Sequence, residues 1–403
     1  MEQTTQRRKR RAPNEGLLER TLHSNARELG TMFSRAKKAG LWQRGKIDVP
    51  FLLILAVILV FGLIMLFSAS GPKALSDHGD RYYFIKRQLI FLIGGLVIMY
   101  FASHINTEIL RILIKPFLFV VMILLIYVKF FGYKGRWISI AGVTVQPSEF
   151  AKFGLIVYIS HIISADPECV HKIDKLFGKV LLPFALFEAL IVWEPHLSAT
   201  ILVFLICVTI IFVGGLDRKI VIGCLIAATV AVALFLLFGA SYWQERIDIW
   251  LNPYLDPTGA SYQTLQSLRA IGSGGLLGVG LGESTQKYLW LPEPHNDFIF
   301  SVVCEELGFV GGFAVLALFV ALVWRGFTIA MKCKNKYNAL LVVGLISQVG
   351  YQALLNAAVA TNAVPITGIS MPFFSYGGTS LLVLLAQMGV LLSASRTSKV
   401  KKL

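Results

Sequence analysis

Charge is scarce in this chain. Only 15% of its 403 residues are Asp, Glu, Lys or Arg, against 56% that are hydrophobic, whereas a soluble domain carries about 25% charged residues to cover its surface. A mean hydropathy of +0.68 completes the exclusion: the bilayer is the solvent. Cysteine is scarce as well. Cys169, Cys207, Cys224, Cys304 and Cys333 include no CxxC pair, so neither a disulfide framework nor a zinc site is indicated. No internal repeat marks an inverted-repeat transporter, and no acidic cluster spells out a metal site.

Long apolar runs fill the rest. They repeatedly reach the roughly 20 residues a helix needs to cross about 30 Å of hydrocarbon. Ten spans are expected, at about 50–69, 86–103, 113–130, 149–164, 179–195, 197–215, 219–239, 298–323, 338–360 and 377–395. The expectation is therefore an all-α integral membrane protein, a bundle of ten transmembrane helices in residues 49–396. A basic arm (1–48) precedes it and a basic tail (397–403) follows. The arm, with Arg7, Arg8, Lys9, Arg10 and Arg11, is too long a lead for a cleavable signal peptide, so the first span is expected to be an uncleaved anchor.

Lys and Arg recur in alternate loops, at Lys172, Lys175 and Lys179, at Arg218 and Lys219, at Lys332, Lys334 and Lys336, and in the tail. Both termini are thereby expected in the cytoplasm of a multi-pass plasma-membrane protein, although Lys73, Arg81, Lys86 and Arg87 in the first outer loop run against the pattern. The net charge of +15 follows from these flanks and from anionic lipid, with no nucleic-acid partner required. The arm serves either as a topology signal or as a site for lipid or a partner.

One connection is far longer than the others, about 240–297, between the seventh and eighth spans and expected outside. Loops of that length are functional or disordered. This one is rich in interfacial anchors, Tyr242, Trp243, Trp250, Tyr254, Tyr262, Tyr288 and Trp290. Within it Tyr262–Ile271 reads as a short amphipathic helix. The glycine-rich run Gly272 to Gly282 that follows is no dinucleotide fingerprint, because no strand precedes it; it is either a packed turn or a backbone nest for phosphate.

Ionisable residues at bilayer depth are costly unless paired or hydrated, so each is a functional candidate. Glu149 and Lys152 share a helix face at i,i+3 and form either a structural ion pair or the lining of a cavity. Glu194-Pro-His196 reads as a structural turn. Of Glu305 and Glu306, at least one must face protein or water rather than lipid. Lys134, Arg136 and Lys287 are outer cations that run against topology, suited to an anion such as phosphate or to lipid headgroups. Asp297 opens the eighth span, where it either caps the helix or does chemistry.

The run from Gln286 to Phe300, QKYLWLPEPHNDFIF, continued by Glu305-Glu-Leu-Gly308, resembles the SEDS family of shape, elongation, division and sporulation proteins (FtsW, RodA, SpoVE). So do Gln146-Pro-Ser-Glu149, Tyr262-Gln-Thr-Leu-Gln266, Ala270-Ile-Gly-Ser-Gly-Gly275, Pro365-Ile-Thr-Gly368 and the run from Pro372 to Ser380, PFFSYGGTS. The segment from Lys287 to Pro294 and the basic N-terminus look more like the FtsW and SpoVE branch. Three places depart from the common pattern, Asn296 before the Asp, Glu194-Pro-His196, and Lys134-Gly-Arg136; none removes the carboxylate.

The resemblance implies a peptidoglycan glycosyltransferase that polymerises lipid II in cell division, beside a class B penicillin-binding protein and other divisome proteins. It implies that Asp297 is the essential residue, a general base on the acceptor 4-hydroxyl. Arg136, Glu149, Lys152, Lys287, His295 and Ser375 are the expected substrate-binding residues. Undecaprenyl pyrophosphate is the leaving group, its charge met by Arg136, Lys152 and Lys287 or by a divalent cation, Mg or Mn. The same residues leave open a flippase for lipid II, a non-catalytic scaffold, and a polymerase acting in sporulation or elongation.

Overall fold

The computed structural model describes residues 40, 42–43, 45–133, 135–140, 143–194, 197–216, 222–223, 226, 248–259 and 261–398. Among them the first helix, α1 (Val49–His78), starts where the Asp48 carboxylate accepts the Phe51 N–H, with Pro at the first turn, and stops at Gly79 in the left-handed region (φ 68°). At 1.5 Å per residue its 30 residues are longer than a hydrocarbon core is thick, so one end projects beyond it. Helices α2 (Tyr83–His104) and α3 (Thr107–Phe131) follow, the latter capped by the Asn106 side chain.

An antiparallel hairpin then interrupts the helices, β1 (Ile138–Ile140) paired with β2 (Val143–Val145) in the register Ile138–Val145 and Ile140–Val143. This corrects the all-α expectation locally. The β-branched alternation Ile-Ser-Ile and Val-Thr-Val has period two and suits a strand. Helix α4 (Pro147–Ala165) leaves the hairpin directly. Next come α5 (Ile173–Leu176), a π-helical turn (Phe177–Leu181) and α6 (Leu182–Trp193), then α7 (Leu197–Val213), α8 (Tyr262–Gly274), α9 (Ile299–Met331), α10 (Lys336–Ala360) and α11 (Gly378–Ser395).

Seven of these helical stretches are long and apolar enough to cross a membrane: α1, α2, α3, the run Asp174–Trp193, α9, α10 and α11. Helix α4, interrupted by Glu149 and Lys152, and the shorter α7 lie where further spans were expected. Of the expected seventh span, 219–239, only residues 222–223 and 226 are described; Lys134, His196, Cys224 and the arm before residue 40 lie outside the described residues.

The bundle has a centre and a rim. About three quarters of the apolar window of α10 and of α11 is enclosed (72% and 78%), against 22% in α3; α3 therefore faces lipid and α10 and α11 form the axis. Helices α2 and α11 touch through glycine. A Cβ on Gly95 would lie 2.5 Å from Leu385 and one on Gly389 2.5 Å from the Met99 carbonyl, the close approach that small residues give membrane helices.

Candidate functional site

Asp297 lies in a turn two residues before α9, which begins at Ile299 with Phe298 at its cap and no side-chain cap bond. The capping alternative is thereby removed: the carboxylate makes no hydrogen bond to the protein among the described residues. Its turn is held by its backbone. Three consecutive carbonyls are each met by a donor: His295 O by the Tyr376 N–H (2.8 Å), Asn296 O by Ser375 Oγ (2.6 Å) and Asp297 O by Asn356 Nδ2 (2.8 Å). Ser375 Oγ also accepts the Met371 N–H, and Asn356 Nδ2 also donates to Ile369 O. Backbone groups fixed in this way leave the side chain to the cavity.

That cavity encloses about 530 Å³. Arg87 and Phe91 of α2 line one side, Arg136 and the hairpin another, Glu149 and Lys152 the first turns of α4, and Ser198 and Leu202 the start of α7. Glu293, Asn296 and Asp297, Gln352 of α10 and the 368–370 segment close it. Asp297 Oδ2 lies 3.4 Å from where a Cβ on Gly368 would sit; with φ +67°, that position favours glycine on both counts. Burial, and then the negative charge of Glu293, push the Asp297 carboxyl up to about 6, which moves it toward the range of a working base.

Glu149 and Lys152 are both buried and joined by a 2.7 Å ion pair. The ion pair of the first alternative is present, and both residues also line the cavity. Arg136 reaches the cavity from the hairpin, its Nε donating to Glu194 O (3.2 Å). Glu194 itself is buried, both its carboxylate oxygens without a partner among the described residues, and desolvation pushes it up to about 8. Pro195 and His196, the rest of that expected turn, lie outside the described residues.

Three expected binding residues are placed elsewhere. Lys287 is buried in an ion pair with Glu306 (2.8 Å) and does not line the cavity; a buried carboxylate on the adjoining helix outcompetes solvent for it. His295 is packed against Phe84 (ring centroids 4.3 Å apart), and burial lowers its pKa. Ser375 is used on backbone, as above. Both hold the Asp297 turn rather than face the cavity. The glycine-rich run is a packed turn, because Val279 N–H and Gly280 N–H donate to Glu305 O and Glu306 O, which leaves no nest for phosphate there. Among the described residues no group of three His, Cys, Asp or Glu could hold a metal ion.

Sequence reasoning missed Arg87, treated as noise in the topology pattern, and the α10 amides. A cation on the outer side costs topology preference wherever it occurs, so Arg87 carried the same signal as Arg136. Gln348, Gln352 and Asn356 recur every fourth residue in an apolar helix, and all three are buried. Polar residues on one face of a spanning helix point inward.

A many-helix membrane bundle with a polar, cation-lined interior cavity and an unbonded carboxylate at its edge is the class that fold and site define. The chain belongs to the cell cycle protein family of FtsW, RodA and SpoVE, whose profile matches residues 49–400. It is 37% identical over 361 residues to Stage V sporulation protein E of Bacillus subtilis, covering 87% of this chain and 98% of that one. To the probable peptidoglycan glycosyltransferase FtsW of Geobacter metallireducens it is 34% identical over 368 residues, covering 90% and 98%. Among solved structures, one described as showing structural coordination of polymerization and crosslinking by a peptidoglycan synthase complex superposes with a TM-score of 0.73 at 27% identity, covering 87% of this chain and 98% of that one. The Rod shape determining protein RodA of Thermus thermophilus superposes with 0.64 at 25%, covering 88% and 98%.

Proposed function

We propose that this protein is a peptidoglycan glycosyltransferase of the plasma membrane that polymerises lipid II, with Asp297 as the general base. The observation that carries the reading is the Asp297 carboxylate: without a partner among the described residues, raised toward neutrality, and at the edge of a cavity lined by Arg87, Arg136 and Lys152. The names of the relatives support the same chemistry. The proposal includes ten spans with both termini cytoplasmic, the 240–297 segment outside, and a class B penicillin-binding protein as transpeptidase partner.

Lipid II carries an α-linked sugar on pyrophosphate and the polymer is β-linked, so one displacement inverts the anomeric carbon. Asp297 takes the proton from the acceptor 4-hydroxyl as that oxygen forms a bond to C1 of the donor. The bond from C1 to the phosphate oxygen breaks, and its electron pair leaves with undecaprenyl pyrophosphate. Arg87 and Arg136 meet the charge that develops there; Lys152, already facing Glu149, contributes less. Lys287, withdrawn into its ion pair, has no part in this step.

Labelled lipid II supplied to the full chain purified with its transpeptidase tests the reading. Glycan chains from the wild type and none from Asp297→Ala support it, and equal polymer from both sinks it. Lipid movement in vesicles without polymer supports the flippase instead. A role in division predicts filaments without septa on depletion, whereas normal division with failed sporulation assigns the polymerase to spores, as the similarity to Stage V sporulation protein E would have it.

A further inference from the structure

Helix α9 is broken, and the break is filled. Gly308 has φ 68° and ψ −166° inside an otherwise helical run, so the two helical bonds that Phe309 N–H and Val310 N–H would make to Glu305 O and Glu306 O are open. The glycine-rich segment is inserted between them. Phe309 N–H donates to Gly275 O (2.9 Å) and Val310 N–H to Leu276 O (3.1 Å), while Val279 N–H donates to Glu305 O (3.0 Å) and Gly280 N–H to Glu306 O (3.0 Å). Those four groups, released by the kink, are each satisfied by the insertion, as backbone at membrane depth requires. Side chains have no room there: a Cβ on Gly278 would lie 2.1 Å from Glu306 O and one on Gly308 2.4 Å from Gly278 N.

The side chains of the same two glutamates continue the grip. Glu305, 1% exposed, accepts from Ser284 Oγ (2.5 Å), Thr285 N–H (2.9 Å), Thr285 Oγ1 (3.0 Å) and Gln286 N–H (3.3 Å). Glu306, fully buried, accepts from Lys287 Nζ (2.8 Å) and from Ser68 Oγ of α1 (2.6 Å). Lys287 Nζ also donates to Ser68 Oγ and to Gly282 O. Residues 288–298, with Asp297 among them, therefore arch between two points fixed on one helix, Lys287 at one foot and Ile299 at the other.

We infer that Glu305 and Glu306 are positioning residues for the Asp297 carboxylate, clamping residues 275–287 into the break of α9 so that the turn bearing Asp297 has a rigid base tied to α1. The inference rests on the reading of Asp297 as the base. Glu305 and Glu306 do not line the cavity that Asp297 borders and take no proton in the reaction. They act through the place and the solvation of Asp297, which a misplacement of the turn changes.

The test uses the full chain with its transpeptidase and labelled lipid II, comparing wild type, Asp297→Ala, Glu305→Gln and Glu306→Gln, with kcat and KM measured across pH per folded molecule. The Gln variants are expected to keep KM within about twofold and to lose roughly tenfold or more in kcat, the scale on which misplacement of a reacting group acts. The acid limb of kcat is expected to move to lower pH as the turn opens to water, and hydrogen exchange at Thr285 and Gln286 to quicken. Wild-type kcat and an unmoved limb, or a loss confined to folded yield, would overturn the inference. Should neither Gln variant fold, Thr285→Val and Ser68→Ala decide, the first removing the Thr285 hydroxyl bond to Glu305 and the second the Ser68 hydroxyl bonds to Glu306 and Lys287: a fall of about threefold in kcat at constant KM supports it, and wild-type kcat refutes it. Asp297→Ala with wild-type activity sinks the base reading and the positioning together, whereas an inactive Asp297→Ala beside unaltered glutamate variants sinks the positioning alone.

Discussion

Acid should silence this protein at a pH where an ordinary aspartate would still work. The Asp297 carboxyl is pushed from 3.8 up to about 6 by burial and by Glu293, a shift of about two units or about 3 kcal/mol against the charged form. With Asp297 as the proposed base, which must be deprotonated to act, the rate follows the charged fraction, near its plateau at pH 7 and about tenfold lower at pH 5. An aspartate at 3.8 would keep about nine tenths of its rate at pH 5. The assay is the initial rate of glycan formation by the purified complex on saturating labelled lipid II, from pH 4.5 to 8. Glu293→Gln removes one of the two causes and is expected to move the limb toward lower pH, which assigns the limb to Asp297 rather than to substrate phosphate. A flat profile down to pH 5, or a limb unmoved by Glu293→Gln, would refute the reasoning.

Other outcomes follow from the same geometry. Arg87→Ala is expected to lower kcat by about 10²-fold, the scale of one lost electrostatic contact to developing charge; a kcat within twofold of wild type in the same polymerisation assay would remove Arg87 from the step. Glu194 is held protonated in the folded chain, its pKa raised from 4.5 to about 8, so its contribution to stability falls as pH rises between those values. Glu194→Gln should therefore melt with wild type at pH 4 and hold a margin of a few kcal/mol at pH 8.5, at about 1.4 kcal/mol per unit, which thermal unfolding in detergent measures. Gly368→Ala should cost about 1–2 kcal/mol for a left-handed alanine and lower kcat as its methyl presses on Asp297, read by melting and by rate; unchanged values in both would contradict the φ at that position.

Membrane class was legible because hydropathy is a local property: each span carries its own apolar run, and the helices found lie where runs of about twenty residues were expected. The amphipathic segment at Tyr262 was legible for the same reason, as was the Glu149–Lys152 pair, whose partners are one helical turn apart. Asp297 was singled out by its setting before an apolar span, but the residues by themselves left capping and catalysis both open until the family resemblance was considered.

What the tertiary structure decided is nonlocal. Lys287 looked like a free outer cation, and its partners are Glu306, nineteen positions on, and Ser68, 219 positions back. Ser375 and His295 looked like ligand contacts and instead hold the turn beside Asp297. Arg87, far from Asp297 in the chain, lines the same cavity because α2, the hairpin, α4 and α10 converge there. Local hydropathy determines that a helix enters the membrane; it carries no information about which face meets which neighbour. Burial and charge compensation settle that, and they exist only once the helices have packed.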